Sequence, residues 1–360
     1  MRERVEFSLR DAYARELVET AKQSPEKFKK KIFKAEAAID SYRSAYDTEQ
    51  RKSLLYDMLY CNFCFGASGD DYFLYDFEHL SNEKRDQFVT DKVRLWFYQS
   101  VNELSGVKLL NDKFDAYLRF QKHYHRDVMK VCSIADLPAF IEFASKHPKF
   151  IAKPNNLYGG IGVCIYDTQE TTIFDIFEQL INQKDGVVIE ELLMQSDDMN
   201  RLNDSCLNTV RIVTAYFADE VEIHFTSMRC GRNGSQIDNF CSGGLSTLID
   251  AQSGRVITPF ADRNRNFYDR HPDSGMETKS FRLPQWDEAC ALVKELAALI
   301  PECRVVGWDL AHTKDGWVMI EGNGCPQLGA QIVSEGWIAP FEDLQKRLIE
   351  EMGEPCHWEE

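Results

Sequence analysis

No glycine occurs among the first 65 residues, and this absence limits what the start of the chain can become more than any motif does. A Rossmann-like unit needs glycines at its first strand-to-helix turn, where backbone must approach phosphate, and residues 1–65 cannot supply that turn. Instead, residues 5–60 are rich in Ala, Glu, Lys and Leu, with apolar side chains every third or fourth position. That spacing predicts helices. A turn-rich patch, FGASGDDY at 65–72, interrupts them. A second amphipathic stretch is expected from Ser81 to Leu104, capped at Ser81 and ended by Gly106. Residues 1–110 therefore read as an all-helical module with no spacing characteristic of catalysis.

From about residue 111 the texture changes. Short β-branched runs (FIAKP, IGVCIYD, GVVIEELL, NTVRIVTAYF, EVEIHFTSMRC, GWVMIEGN) alternate with Gly, Asp and Asn turns and with helical stretches at 136–147, 170–182 and 286–300. This predicts an α+β domain, residues 111–345, with antiparallel pairing. The clearest hairpin joins 208–217 to 221–230 across Ala218-Asp219-Glu220. Residues 346–360 are read as a C-terminal tail.

Charge narrows the partners. Lys plus Arg number 42 against 58 Asp plus Glu, a net charge of -16. Residues 1–110 carry 18 basic and 19 acidic groups, so -15 of that charge falls on residues 111–360. Such a surface argues against nucleic acid or anionic membrane as partner, and an anionic substrate must rely on local Arg and Lys. No apolar run approaches the roughly 18 residues of a membrane span, and the charged start does not resemble a signal peptide. A cytoplasmic location is expected. The 11 cysteines are irregularly spaced, and the lone Cys61-x-x-Cys64 pair has no companion pair, so reduced structural thiols are expected.

Two segments carry chemistry. Phe150–Pro154 reads as a strand ending in Lys153, followed by a loop holding Gly159, Gly160 and Gly162, which can place an ammonium and several backbone N–H groups around phosphate oxygens. Downstream, Asp309 and Glu321 flank the tight turn Thr313-Lys314-Asp315-Gly316, and the hairpin is expected to turn both carboxylates, with Asn323, to one face. Two carboxylates and an amide oxygen suit Mg²⁺ that keeps positions for water and nucleotide phosphate. His224 and His312 read as structural histidines, while Asp238-Asn239 ahead of Gly243-Gly244 fits either a simple turn or a part of the site.

The ordered series NDKFDAYLRF (111–120), FIAKPNNLYGGIGV (150–163), VVIEELLMQ (187–195), LNTVRIVT (207–214), DNFCSGGL (238–245) and GWDLAHTKDGWVMIEGN (307–323), with FGASGDDYF (65–73) ahead of it, resembles the ATP-grasp superfamily. More narrowly, it resembles the sugar-transfer-associated ATP-grasp group of bacterial surface-polysaccharide biosynthesis. The resemblance implies two α+β subdomains with antiparallel sheets clasping ATP. It further implies Lys113 and Lys153 as nucleotide lysines, and residues from Asn156 to Gly162 (with Gly159 and Gly160) as a loop over the triphosphate. Glu190, Glu191, Leu192 and Leu193 would form the adenine hinge, and Asp197 or Asp198 would meet the ribose. Asp309, Glu321 and Asn323 would hold Mg²⁺, and Arg211, Lys153 and Arg229 would act on the transferred phosphoryl group. The implied reaction is ATP-dependent ligation of a small-molecule carboxylate to an amine through an acylphosphate, the substrates including sugar-linked ones. The alternatives are an ATP-grasp kinase acting on a hydroxyl and a nucleotide-binding module without turnover.

Overall fold

The computed structural model describes residues 5–157, 159–218, 220–235, 238–240, 243–356 and 358. Tyr158 of the glycine loop, Asp219 of the hairpin turn, and Cys241 and Ser242 of the 238–245 segment lie outside the described residues. By internal contacts the chain divides into two compact units, Met1–Val101 with Gln327–His357, and Asn102–Pro326 with Trp358–Glu360.

The first unit is helical. Its helices α1 (Phe7–Gln23), α2 (Lys29–Tyr42), α3 (Thr48–Phe65), α4 (Gly69–Leu74), α5 (Asn82–Arg85) and α6 (Asp91–Val101) are joined by a later helix, Ile338–Met352. Asp47 and Gln50 form a capping box at the start of α3, which satisfies otherwise orphaned backbone donors. Ala14, Val18, Ile39, Leu54, Met58 and Phe77 fill the core beside Cys61 and Cys64, both buried free thiols.

The expected stretch from Ser81 to Leu104 is not continuous: the chain leaves helix between α5 and α6. Buried Phe88 and Val89 occupy the break, and the Gln331 side chain satisfies the extended backbone there, accepting from Val89 N at 2.9 Å and donating to Val89 O at 3.1 Å. Nor does Gly106 terminate a helix. It lies within α7 (Leu104–Asn111) of the second unit, where a Cβ would come within 2.8 Å of Cys303 Sγ. Close packing, not helix termination, explains that glycine.

The second unit is α+β with two antiparallel sheets. Helix α8 (Lys113–Phe120) leads into strand β1 (Val128–Val131), then α9 (Leu137–Lys146), β2 (Lys149–Pro154), β3 (Cys164–Asp167), α10 (Ile173–Ile181) and β4 (Val187–Glu191). These strands form a sheet in the order β1-β4-β2-β3. Its one face, with Val131, Phe150, Ala152, Val187 and Ile189, is buried against Phe140 and Phe143 of α9 and Ile176, Phe177 and Leu180 of α10. Alternation then puts Lys153, Val188 and Glu190 on the opposite face.

After α11 (Asp197–Asn200) come β5 (Thr209–Tyr216), β6 (Val221–Cys230), β7 (Leu245–Leu248), β8 (Phe260–Ala261), β9 (Phe267–Tyr268), α12 (Trp286–Ala298), β10 (Val305–Thr313) and β11 (Gly316–Asn323). The second sheet is ordered β11-β10-β5-β6-β7-β8-β9. Val210, Ile212, Met228, Trp308 and Leu310 face a core shared with Trp286, Ala289, Val293 and Leu296 of α12. The other face carries charge.

Candidate functional site

Register fixes which side chains meet on the charged face of the larger sheet. Asp309 lies opposite both Arg211 and Glu321, and Thr209 lies opposite Arg229. Asp309 is only 1% exposed, and both guanidinium groups neutralise it: Arg211 grips it through Nε and through Nη2 at 2.8 Å, and Arg229 Nη2 stands 2.5 Å from Oδ2. Burial opposes the Asp309 charge, but these arginines outweigh it and hold the carboxyl well below the usual carboxylate range.

Glu321 is in the opposite situation. Burial first, then the neighbouring Asp309, push its carboxyl up, and among the described residues it makes no salt bridge. Asn323 Nδ2 donates to Glu321 Oε1 at 3.2 Å, which leaves the Asn323 carbonyl oxygen for another partner. A half-buried carboxylate whose charge is disfavoured, next to a second carboxylate and an amide oxygen, fits a hard divalent cation. Asp309, Glu321 and Asn323 are thus the residues that would hold Mg²⁺.

The pairing that unites Asp309 with Glu321 does not follow from the turn. Counting back from the partners Thr313 and Gly316, a regular hairpin would set Asp309 opposite Ile320 and send Glu321 to the α12 side. One extra residue, Ile320, interrupts the ladder between the pairs Leu310–Met319 and Asp309–Glu321, and the bulge returns Glu321 to the charged face. The expectation of a shared face is met through an irregularity that the sequence reading did not contain.

On the smaller sheet, Lys153 Nζ lies 2.9 Å from Glu190 Oε2, and Arg126 Nε donates to the same oxygen at 2.7 Å. Burial opposes the Glu190 charge; Arg126 and Lys153 overcome it and pull the carboxyl down to about 2. Lys113, at the N-terminus of α8, donates to the carbonyls of Pro154 at 3.0 Å and Leu157 at 2.5 Å. Burial lowers its pKa, while Glu321 and Glu190 pull it up and Lys153 pushes it down. Lys113, Lys153, Glu190 and Glu321 therefore share one electrostatic neighbourhood between the two sheets.

The glycine loop leaves β2 with φ values of 67° at Gly159, 76° at Gly160 and 74° at Gly162, a region that side-chain-bearing residues rarely adopt. Asn156 is exposed. Asn239 Nδ2 donates to Gly159 O at 2.6 Å, and Asp238 accepts from Thr209 N at 2.9 Å, so residues 238–239 contact both the loop and the cluster.

Other expected residues are placed elsewhere. Glu191 alternates to the opposite face from Glu190, where its Oε2 accepts from Asp127 N at 3.2 Å. Leu192 and Leu193 follow β4 outside any ladder. Asp197 and Asp198 are exposed on α11. Burial lowers the pKa of His312 and nearby Asp198 opposes the shift, which sets Asp198 beside a residue whose strand neighbours Trp308 and Leu310 face α12. His312 itself is tied to Ser196 Oγ at 2.8 Å and Gln285 Oε1 at 2.7 Å, a structural arrangement. Sequence reasoning missed Arg126 and Asn155. Asn155 is 1% exposed and ties α8 to the loop by accepting from Phe114 N at 3.1 Å and donating to Asp112 at 2.6 Å.

A family model described as sugar-transfer associated ATP-grasp matches residues 92–342. Among solved structures, the ATP-grasp ligase PsnB complexed with minimal precursor is similar at 15% identity and TM-score 0.43, over 70% of this chain and 64% of that one. D-alanyl-alanine synthetase A from Vibrio cholerae O1 biovar eltor is similar at 8% identity and TM-score 0.43, over 67% and 65%. The chain thus spans just under two thirds of these relatives' lengths. No curated protein matches.

Proposed function

The chain belongs to the sugar-transfer associated ATP-grasp family and has an ATP-grasp α+β fold, and from that premise we propose that it is an ADP-forming carboxylate–amine ligase. The observation that carries this reading is the pair of guanidinium groups, Arg211 and Arg229, held by buried Asp309 beside Glu321. Such a pair suits a reaction in which negative charge collects on a carboxylate and then on an acylphosphate. A kinase would instead need a base for its hydroxyl. Two arginines keep Asp309 ionised and too weak a base, and Asp238 accepts from the backbone and hydroxyl of Thr209, so neither supports that second reading.

In the proposed reaction a substrate carboxylate oxygen attacks the γ-phosphorus of ATP, and the bond to the ADP oxygen breaks. The amine nitrogen then attacks the acyl carbon; phosphate leaves with the bonding pair, and the nitrogen's proton passes to solvent. Mg²⁺ held by Asp309, Glu321 and Asn323 would supply charge neutralisation for the phosphates. Lys113 and Lys153 would grip the phosphates, the latter fixed by Glu190; Arg211 and Arg229 would hold the reacting anion. The loop with Gly159, Gly160 and Gly162 would exclude water that would otherwise hydrolyse the acylphosphate. Glu190–Leu193 would border adenine, and Asp197 or Asp198 would meet the ribose.

The family description, sugar-transfer associated, supports sugar-linked substrates; a role in surface-polysaccharide biosynthesis and a cytoplasmic setting are further parts of the same proposal. No helix among the described residues is long and apolar enough to cross a membrane. The test is to incubate the protein with Mg²⁺–ATP and pooled carboxylates, with and without pooled amines, while following ADP, AMP, phosphate and new masses. Amine-dependent ADP, phosphate and an amide mass are expected. A phosphorylated hydroxyl compound would replace the ligase by a kinase, and absence of turnover in every pool would favour a binding module.

A further inference from the structure

We propose that Arg126 is a positioning residue: it holds the β-bulge that turns Glu321 toward Asp309, and with the same guanidinium it fixes the Glu190 carboxylate that steadies Lys153. The inference rests on the reading of Glu321 as a metal ligand and Lys153 as a phosphate grip.

The side chain of Arg126 is 1% exposed. Its Nε donates to Glu190 Oε2 on the smaller sheet at 2.7 Å. Its Nη1 donates to Met319 O at 2.7 Å and its Nη2 to Ile320 O at 3.5 Å, the two carbonyls at the bulge on the larger sheet. Nη1 also donates to Tyr124 O at 3.0 Å, and the guanidinium carbon stands 4.3 Å from the centre of the Tyr124 ring. One planar fork is therefore shared among a carboxylate, three carbonyls and an aromatic face.

The arrangement matters because β11 is the edge strand of its sheet, and an edge strand at a bulge has carbonyls that no ladder satisfies. Left unpaired in a buried place, they favour sliding back to a regular pairing, in which Asp309 faces Ile320 and Glu321 faces α12. Arg126 removes that incentive at the two carbonyls preceding Glu321. An ammonium cannot do the same, since a lysine offers a point charge where a rigid fork is needed.

The test compares Glu190→Gln with the double variant Arg126→Met/Glu190→Gln. Removing the carboxylate first avoids leaving a buried charge without its partner, which could prevent folding. Calorimetric titration with a non-hydrolysable ATP analogue, with and without Mg²⁺, gives the factor by which the metal tightens binding in each protein, and hydrogen exchange of peptides covering 317–323 reports on the bulge. Because Glu190 also fixes Lys153, the Glu190→Gln protein sets the baseline Mg²⁺ factor against which the double variant is read. The double variant is expected to lose about tenfold of it, the scale seen when a residue that orients a metal ligand is removed, with faster exchange confined to 317–323. An unchanged Mg²⁺ factor in the double variant overturns the role of Arg126 while the metal site stands. If wild type itself shows no Mg²⁺ factor, the metal reading fails and takes this proposal with it. Should the double variant be too unstable to titrate, Arg126→Lys gives the decision by the same two readouts, and full retention of the Mg²⁺ factor there overturns the proposal.

Discussion

At the scale of single residues, the site sets carboxylates in opposite electrostatic situations, and pH separates them. Glu190, held at about 2, has a folded pKa below its unfolded value, so its contribution to stability is present above about pH 4.5 and is lost as pH falls toward 2. Glu321, pushed up by burial and Asp309, has the reverse sign: its contribution is present below the unfolded pKa and is lost as pH rises through the folded one. Glu321→Gln should therefore melt above wild type at pH 7 without divalent cation, the difference vanishing at acid pH, and scanning calorimetry across pH 4–8 checks this. The same variant should lose at least about 10²-fold in turnover, as when one charge-stabilising group is removed from a reacting centre. Retained activity, or a lower melting point at pH 7, would make Glu321 a structural carboxylate. Lys153→Ala should weaken binding of a non-hydrolysable ATP analogue by about tenfold or more, on the scale of one charge-assisted hydrogen bond, as read by calorimetric titration. Part of this was legible in the sequence, because Lys153 closes an apolar run just before Pro154, while Asp309 and Glu321 interrupt two apolar runs joined by a tight turn and Asn323 ends the second. Arg126 was not: between His125 and Asp127 it reads as a surface charge, and only the meeting of two sheets gives it partners.

At the scale of elements, legibility followed length and period. The long strands β5, β6, β10 and β11 and helices α9, α10 and α12 are written in their apolar spacing, whereas β8 and β9, two residues each, carry too few positions to show a period. Gly106 shows how a local rule misleads. Alanine in place of a mid-helix glycine ordinarily adds about 1 kcal/mol. Here a Cβ would meet Cys303 Sγ at 2.8 Å and Glu302 Cβ at 3.0 Å. Gly106→Ala should therefore destabilise by about 1–3 kcal/mol in urea unfolding, and Cys303→Ala in the same chain should recover part of the loss. A gain in stability would restore the ordinary reading. The glycine loop invites the complementary experiment. Gly160→Val places a β-branched residue at φ 76°, which should disturb the loop while leaving Lys153 and Glu190 in place. Analogue affinity should stay within about threefold of wild type and turnover should fall by about tenfold or more, the pattern of a contact made chiefly at the reacting stage. A loss of affinity matching the loss of rate would assign the loop to simple binding.

At the scale of the whole molecule, the chain closes back on its beginning. Gln327–His357 joins the helical unit formed by the first hundred residues, with Phe97 and Phe341 in edge-to-face contact at 4.4 Å. No local pattern announces such a return, because amphipathic spacing says which face of a helix is buried but not against which distant segment. Charge, in contrast, is fully legible in sequence and leads to a further prediction. Residues 111–360 carry -15 in all, while the proposed nucleotide site offers Lys113, Lys153, Arg211 and Arg229 to an anion. Beyond a Debye length, about 10 Å at 0.1 M salt and about 30 Å at 0.01 M, an incoming anion responds to net charge; within the site it responds to the local cations. Raising salt from 0.01 to 0.1 M should therefore screen the long-range repulsion more than the close attraction. The association rate of an anionic ATP analogue should rise by about two- to fivefold over that range, where a positively steered enzyme would show a fall. Stopped-flow binding at several ionic strengths measures the slope directly. A rate that declines steadily with salt would mean that the local cations dominate even at long range, and that the acidic groups of residues 111–360 are clustered away from the mouth of the site.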